Sequence, residues 1–417
     1  MSDGRHVATA ELRRQFSSEL SSMYAAEVPL YGELMAVVKQ VNREVVAARP
    51  ELSLDEAAVD RLSAERHGAI RLGRDDELAL MTRFFAVLGM EPVDCYDLSA
   101  AGAKAQPVIA TAFRPAALDE IEVSPFRVFC SLLRPDERFF DDKVLRRRMR
   151  RTLDTREIFG PRLRSLIERA ESDGGLDADH AAQFVEEGLR LFGWRGEARD
   201  RALYEELRAR GTNIAADICC FPNPHLNHLT PNSLDIDALE MCMTEVLATR
   251  YSGLGAEMKD HIEGPPPRRA PVLLRQTSYQ ALVETVRFDG EETGTHAARF
   301  GEIEQRGRAT RHEDRPAELD ALIDAGHVRA QPVRYEDFLP VRAAGIFASN
   351  LRHSGALREG ESPHSQAELE AILGRPIRAP HTLYAGQEAR SLPQVHSELD
   401  VDLPAERRRE LERRARG

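Results

Sequence analysis

Lysine is scarce in this sequence: it supplies four of 57 basic residues, arginine the rest, against 69 acidic ones. The resulting charge of −12 and a pI near 5.6 are spread along the chain, which argues against nucleic acid or an anionic membrane surface as a partner. Cysteine is sparse as well. Five cysteines in 417 residues, an odd number, point to a reduced, cytoplasmic protein without disulfides. No apolar run reaches the roughly 18 residues of a membrane span, and the opening "MSDGRHVATAELRRQF" has no apolar core of the signal-peptide kind. A P-loop, a GxGxxG fingerprint, a GxSxG elbow and an HExxH pair are all missing, which removes the nucleotide, dinucleotide, serine-hydrolase and zincin readings those motifs carry. There is no internal repeat and no low-complexity segment.

Core-forming residues are plentiful. Apolar residues make up 42% of the chain, enough for one large domain or two to three ordinary ones. "TAELRRQFSSELSSMYAAEV" and "YGELMAVVKQVNREVVAA" carry apolar residues at helical spacing. "SLDEAAVDRLSAE" places Ser53 three residues before Glu56, a capping-box pattern. "RHGAIRLG" reads as a short strand, "RDDELALMTRFFAVLG" as a helix stopped by Gly89, and "PVDCYDLS" with "AQPVIATAFRP" as strand, turn, strand. "SPFRVFCSLLRP" is β-rich in its first half. Residues 136–210 then read as four amphipathic helices in a row. Their basic run "RRRMRR" fits a solvated face beside acidic neighbours better than a nucleic-acid contact. β-type segments return in "NIAADICCF", "APVLLRQTSY", "ETVRFDG", "TGTHAARFGEIEQRG" and "AQPVRYEDFLPV". The helical "TPNSLDIDALEMCMTEVLA" and the short polyproline "EGPPPRRAP" lie between them. "LPAERRRELERRARG" closes as a charged helix or tail. The expected class is α+β, one catalytic unit over 1–417 with a helical insertion at 136–210.

Chemistry concentrates in three segments. In "CCFPNPHLNHLTP", Cys219, Cys220, His225 and His228 offer a zinc knot. Structural zinc sites usually take ligands in two separated pairs, and adjacent cysteines on the strand expected here point to opposite faces, so the cysteines read as core. His225 and His228 lie in a proline-flanked loop, as structural histidines or as ligands. In "ERHGAIRLG", His67 and Arg71 share a strand face with Cα atoms roughly 13 Å apart. An inward arginine there needs an anion; an outward pair is only surface. In "RFGEIEQRG", Glu302 and Glu304 share a face. Either both face water, or one takes a cation or an arginine such as Arg275. Two histidines and a carboxylate make the facial triad of non-haem Fe(II) oxygenases, although 13 histidines permit many such triples.

Taken together and in order, "HGAIR", "NHLTP", "RQTS", "HAARFGEIEQRG" and "YEDFLPVRAAGIF" resemble the 2-oxoadipate dioxygenase/decarboxylase family, also called 2-hydroxyglutarate synthases, from about residue 15 to about 360. The resemblance implies a vicinal-oxygen-chelate fold, with paired βαβββ modules forming a curved mixed sheet around a metal. It implies Fe(II) held by His67, His228 and Glu302. Glu302 is favoured over Glu304 because Glu302-Ile303-Glu304-Gln305-Arg306 fits the E-x-x-Q-R string of 4-hydroxyphenylpyruvate dioxygenase, an enzyme of similar chemistry. Arg71 would bind a substrate carboxylate, and Val341 would line the pocket through main-chain groups. The resemblance assigns His225 no role, and it reads as supporting or structural; Gln276, Thr277 and Ser278 read as hydrogen-bonding wall residues, with Arg275 as a partner for a glutamate behind them. The implied reaction takes 2-oxoadipate, or a related 2-oxo diacid, and O2 to 2-hydroxyglutarate and CO2, with no external 2-oxoglutarate.

Three features depart from the family pattern. The stretch 307–334 is short, Asn232 stands where arginine is expected, and Arg342 where serine is expected. They bear on which acid fits rather than on the metal ligands. The rival readings are a redox-silent zinc or nickel enzyme of glyoxalase or hydrolase type on the same fold, and a metabolite-binding protein using 136–210 as its interaction surface.

Overall fold

The protein, seen in a computed structural model, is described for residues 6–243, 273–281, 317–334, 363–399 and 405–416, apart from 29–30, 51–53, 65, 101–105, 196–197, 236–237, 240 and 325. It divides into two compact units, Met1–Ala270 with Asp337–Arg378, and Pro271–Glu336 with Ala379–Gly417. In the first, α1 (Thr9–Glu27), α2 (Tyr31–Ala48) and α3 (Glu56–Ala64) lead into β1 (Arg66–Leu72), α4 (Asp75–Val87), β2 (Glu91–Asp97), β3 (Val108–Arg114), α5 (Leu118–Val123) and β4 (Arg127–Leu133). Then come α6 (Lys143–Asp154), α7 (Pro161–Asp173), α8 (Ala178–Phe192), α9 (Arg201–Ala209), α10 (Asn213–Cys220) and the short β5 (His228–Pro231). β6 (Leu273–Ala281), α11 (Ala317–Asp324) and β7 (Val328–Arg334) belong to the second unit. α12 (Pro363–Leu373) returns to the first, and α13 (Pro380–Glu398) and α14 (Ala405–Arg416) complete the second.

The larger sheet runs β2-β3-β4-β1-β5, with β1 parallel to β4 and the other neighbours antiparallel. This is the mixed sheet of an α+β protein. Strand alternation sorts its side chains to two faces, both covered. Ile70, Leu72, Ile109, Phe113, Val128, Cys130 and Leu132 join Phe16 of α1, Phe84 and Phe85 of α4, and Phe184 and Phe192 of α8. Phe84 stacks on Phe184 at 4.8 Å and meets Phe16 edge-on at 5.5 Å; burying each ring contributes about 1.5–3 kcal/mol. α8 comes this close because Gly188 lacks a Cβ, which would lie 2.9 Å from the Phe84 ring. On the other face Ala69, Val108, Ala110, Ala112, Phe129 and Leu133 pack against α6, α9 and α10. The helices between 143 and 209 thus divide, α7 and α8 to one face, α6 and α9 to the other.

Local chemistry explains the starts and stops. Asp142, Asp177 and Asp200 cap α6, α8 and α9 by accepting backbone N–H groups. Gly89 ends α4 with φ +67°. At α3 the cap is Asp55, whose carboxylate accepts the Ala58 N–H at 2.7 Å; Ser53, the cap expected from sequence, lies outside the described residues. In the basic run, Arg146 pairs with Glu137 and Arg148 with Asp200 and Glu206, while Arg147, Arg150 and Arg151 are exposed.

"NIAADICCF" corrects an expectation. It is the helix α10, not a strand. From Ile214 to Cys220 every residue except Asp217 is buried, so no period shows in the sequence. Arg156 holds the C-terminal end of this helix, donating through Nη1 to Ile218 O at 2.7 Å. Its other nitrogens fork onto Glu77 at 2.9 and 2.5 Å, both side chains being 1% exposed. Glu77 Oε2 also accepts the Gly73 and Arg74 N–H groups that follow β1, at 2.9 and 3.3 Å. The pair ties α10 to the end of β1.

In the second unit β6 runs antiparallel to β7, over a core of Leu319, Leu322, Val328, Ala389, Leu392, Val395, Leu399 and Leu411. The segments "EGPPPRRAP", "ETVRFDG" and "TGTHAARFGEIEQRG" lie outside the described residues. Among those described, no helix is long and apolar enough to cross a membrane.

Candidate functional site

β1 carries His67, Ala69 and Arg71 on one face, and the antiparallel register extends that face onto β5. Ala69 pairs with His228 and His67 with Thr230, so positions 67, 69, 71 and 228 lie on the same side of the sheet. The short β5 is fixed from both ends. Before it, Asn227 N–H donates to Ala69 O at 2.9 Å and Leu226 N–H to Phe192 O at 2.8 Å. After it, the buried Asn42 of α2 donates to Asn232 O at 3.0 Å and accepts from Leu234 N–H at 2.7 Å. The His67 side chain is buried, at 9% exposure.

A polar cluster stands beside this face, built from β1, α10 and the turn before β5. Arg71 Nη1 donates to Asp217 Oδ2 at 2.7 Å, and the two side chains are 11% and 17% exposed. Asn227 Nδ2 donates to the same oxygen at 2.9 Å and lies 3.1 Å from His225 Nε2. That nitrogen is 3.4 Å from Asp217 Oδ1. An amide has two hydrogens, one for Asp217 and one for His225; this makes Nε2 an acceptor and assigns the imidazole hydrogen to Nδ1. His225 stands edge-on to Trp194 at 4.5 Å and to Phe221 at 5.3 Å. Burial pushes its pKa down; Asp217 opposes the fall and Arg71 adds to it. The imidazole is therefore neutral at pH 7.

The structure gathers His67, Arg71 and His225 of the expected residues in the first unit, together with the backbone of 228. Arg275, Gln276, Thr277 and Ser278 lie on β6, where Thr277 pairs with Pro332 and Ser278 with Gln331, past an irregular stretch after Leu273. Glu302, Glu304, Val341 and Arg342 lie outside the described residues. Among those described, no three of His, Cys, Asp and Glu are grouped as metal ligands. Cys219 and Cys220 are buried free thiols packed in the core. Burial raises both pKa values, that of Cys220 to about 12, which disfavours the thiolate a metal takes. Asp217 and Asn227 were not expected from sequence. The available signal was Asp217 itself, the one charged residue in the apolar run "NIAADICC".

Fold and cluster define an α+β protein that presents imidazole, guanidinium and carboxylate beside one sheet edge, the guanidinium being the group suited to a small anionic ligand. Comparison with known proteins makes the class specific: the chain belongs to the 2-oxoadipate dioxygenase/decarboxylase family, whose model matches residues 16–315 and 309–350. The 2-oxoadipate dioxygenase/decarboxylase of Pseudomonas putida is 40% identical, with 95% of this chain and 98% of that protein covered. That of Escherichia coli K12 is 40% identical, with 92% and 98% covered. The crystal structure of Pseudomonas putida hydroxyglutarate synthase in complex with 2-oxoadipate matches with a TM-score of 0.72 at 34% identity, over 95% of this chain and 99% of that one. The alignment with the Pseudomonas relative spans 472 positions, more than the 417 residues here, so that relative has residues this chain lacks.

Proposed function

We propose that this enzyme converts 2-oxoadipate and O2 to 2-hydroxyglutarate and CO2. The observation that carries the reading is 40% identity to a 2-oxoadipate dioxygenase/decarboxylase over nearly the full length of both chains. The same reading assigns the sheet to the vicinal-oxygen-chelate architecture and the whole of 1–417 to one catalytic unit. His67, His228 and Glu302 would hold Fe(II). The donors fit: His67 is a buried imidazole, the register sets position 228 on its face, and two imidazoles with one carboxylate form the facial triad. When bound, Fe(II) would supply the redox centre for oxidative decarboxylation of the 2-oxo acid.

The chain's own residues govern which acid is used. Arg71 takes the carboxylate remote from the 2-oxo end by charge-assisted hydrogen bonds, and so fixes which carbon lies at the reacting position. Val341 lines the pocket through main-chain groups, with Gln276 and Ser278 as polar wall residues and Arg275 as a supporting carboxylate partner. Trp194 and Phe221 shield His225, which supports the cluster without touching the metal. Free thiols throughout suit a reducing cytoplasm.

Protein loaded anaerobically with Fe(II) and then exposed to O2 is expected to release one CO2 and one 2-hydroxyglutarate per O2 from 2-oxoadipate alone. Zinc- or nickel-loaded protein should be inert. Turnover of the same acid without O2 uptake would replace this reading with a redox-silent one. Arg71→Lys should lower kcat/KM for diacids by roughly one to two orders of magnitude and leave monoacids such as 2-oxohexanoate nearly unchanged.

A further inference from the structure

We infer that Asp217 is the positioning residue for Arg71 and thereby sets which length of 2-oxo diacid the enzyme prefers. The inference deepens the reading of Arg71 as the carboxylate-binding arginine and rests on it. Among the described residues Asp217 is the group that Arg71 bonds, through Nη1 at 2.7 Å. A guanidinium carries five N–H donors in one rigid plane. With one edge fixed on Asp217, the rest of the fork stays available to a carboxylate, and its direction is set by the protein rather than by the ligand.

Asp217 is itself held on two sides. Asn227 donates to the oxygen that accepts from Arg71, at 2.9 Å. Arg156 grips Ile218 O, one residue further along α10. A side chain that only balanced the charge of Arg71 would need none of this. The arrangement also weakens the attraction: Arg71 and Asp217 together are neutral, so an arriving carboxylate meets a guanidinium already paired. Affinity is given up for direction, which suits a reaction in which one particular carbon must lie at the reacting position.

The test compares wild type with Asp217→Asn, Asp217→Glu and Arg71→Lys, each checked for folding by thermal unfolding. It measures kcat and KM on 2-oxoglutarate, 2-oxoadipate and 2-oxopimelate, and binding of glutarate to the metal-free protein by calorimetry. Asp217→Asn removes the charge and keeps the shape. It should leave KM for the preferred diacid equal or lower, tighten glutarate binding, lower kcat about tenfold, and flatten the preference among the three acids by about tenfold. Asp217→Glu keeps the charge and reaches one methylene further, so it should move the preference to the shorter diacid; this carries the test if the asparagine variant does not fold. An unchanged preference in both variants, or KM raised with kcat unchanged, would reduce Asp217 to a packing counter-ion. Failure of the premise reads differently: Arg71→Lys would then treat mono- and diacids alike, whatever the Asp217 variants do.

Discussion

At His225 the ring is enclosed by Trp194 and Phe221 and accepts from Asn227. Its folded pKa is lowered chiefly by burial. Above the unfolded value of about 6.5 neither state carries the proton. As pH falls below that value, the unfolded chain takes up a proton that the folded chain resists, so stability declines until the folded pKa is passed. The urea midpoint should therefore drop between pH 7.5 and 5.5, and His225→Gln should reduce that drop; an equal drop in both would place the titration elsewhere. Cys219 and Cys220 form a second case. Replacing both with alanine should leave metal content unchanged and lower stability by about 1–3 kcal/mol through lost packing; a folded but metal-free double variant would restore the zinc knot. At this scale the sequence was informative wherever the cause is local. That His67 and Arg71 share a face follows from strand alternation alone. Asp217 and Asn227 were hidden because their meaning depends on α10 lying across β1, which no local pattern states.

Elements with one exposed side were legible for the same reason. α1, α2 and α4 announce themselves by period, and α6, α8 and α9 by period and by an aspartate at the cap. α10 was misread because it is buried on nearly all sides, and an apolar run that short reads equally as a strand. What makes it a helix is tertiary: Arg156, fixed on Glu77, takes up carbonyls at its C-terminal end. Arg156→Met should leave the buried Glu77 carboxyl without its cation, at a cost of about 3–5 kcal/mol. Glu77 keeps its bonds from Gly73 and Arg74 N–H, so the loss should show as a lower urea midpoint rather than failure to fold. Because α10 also carries Asp217, the variant should turn over diacids less selectively than wild type. A midpoint within experimental error of wild type would mean that the apolar packing of α10 holds it unaided.

Across the whole molecule, the proposed ligands come from positions far apart in the chain, and their affinity for metal is therefore part of the stability of the fold. A cation that binds the folded chain and not the unfolded one adds RT ln(1 + [M]/Kd), about 2.7 kcal/mol at a hundredfold excess over Kd. The −12 charge of the chain favours any cation at long range, so stabilisation alone would not identify the site; its dependence on one carboxylate would. Metal-free protein titrated anaerobically with Fe(II) should gain several degrees in Tm. Glu304→Ala should gain as much, whereas Glu302→Ala, His67→Ala and His228→Ala should gain little, and the same three should lose O2 uptake. Salt separates the diffuse contribution from the local one, since attraction by the net charge is screened beyond about 8 Å at physiological ionic strength and a coordinated ion is not. If Glu302→Ala gains as much as wild type and Glu304→Ala does not, the carboxylate ligand is Glu304. If all four variants gain equally and salt abolishes the gain, the metal is bound by surface charge and the facial triad is wrong.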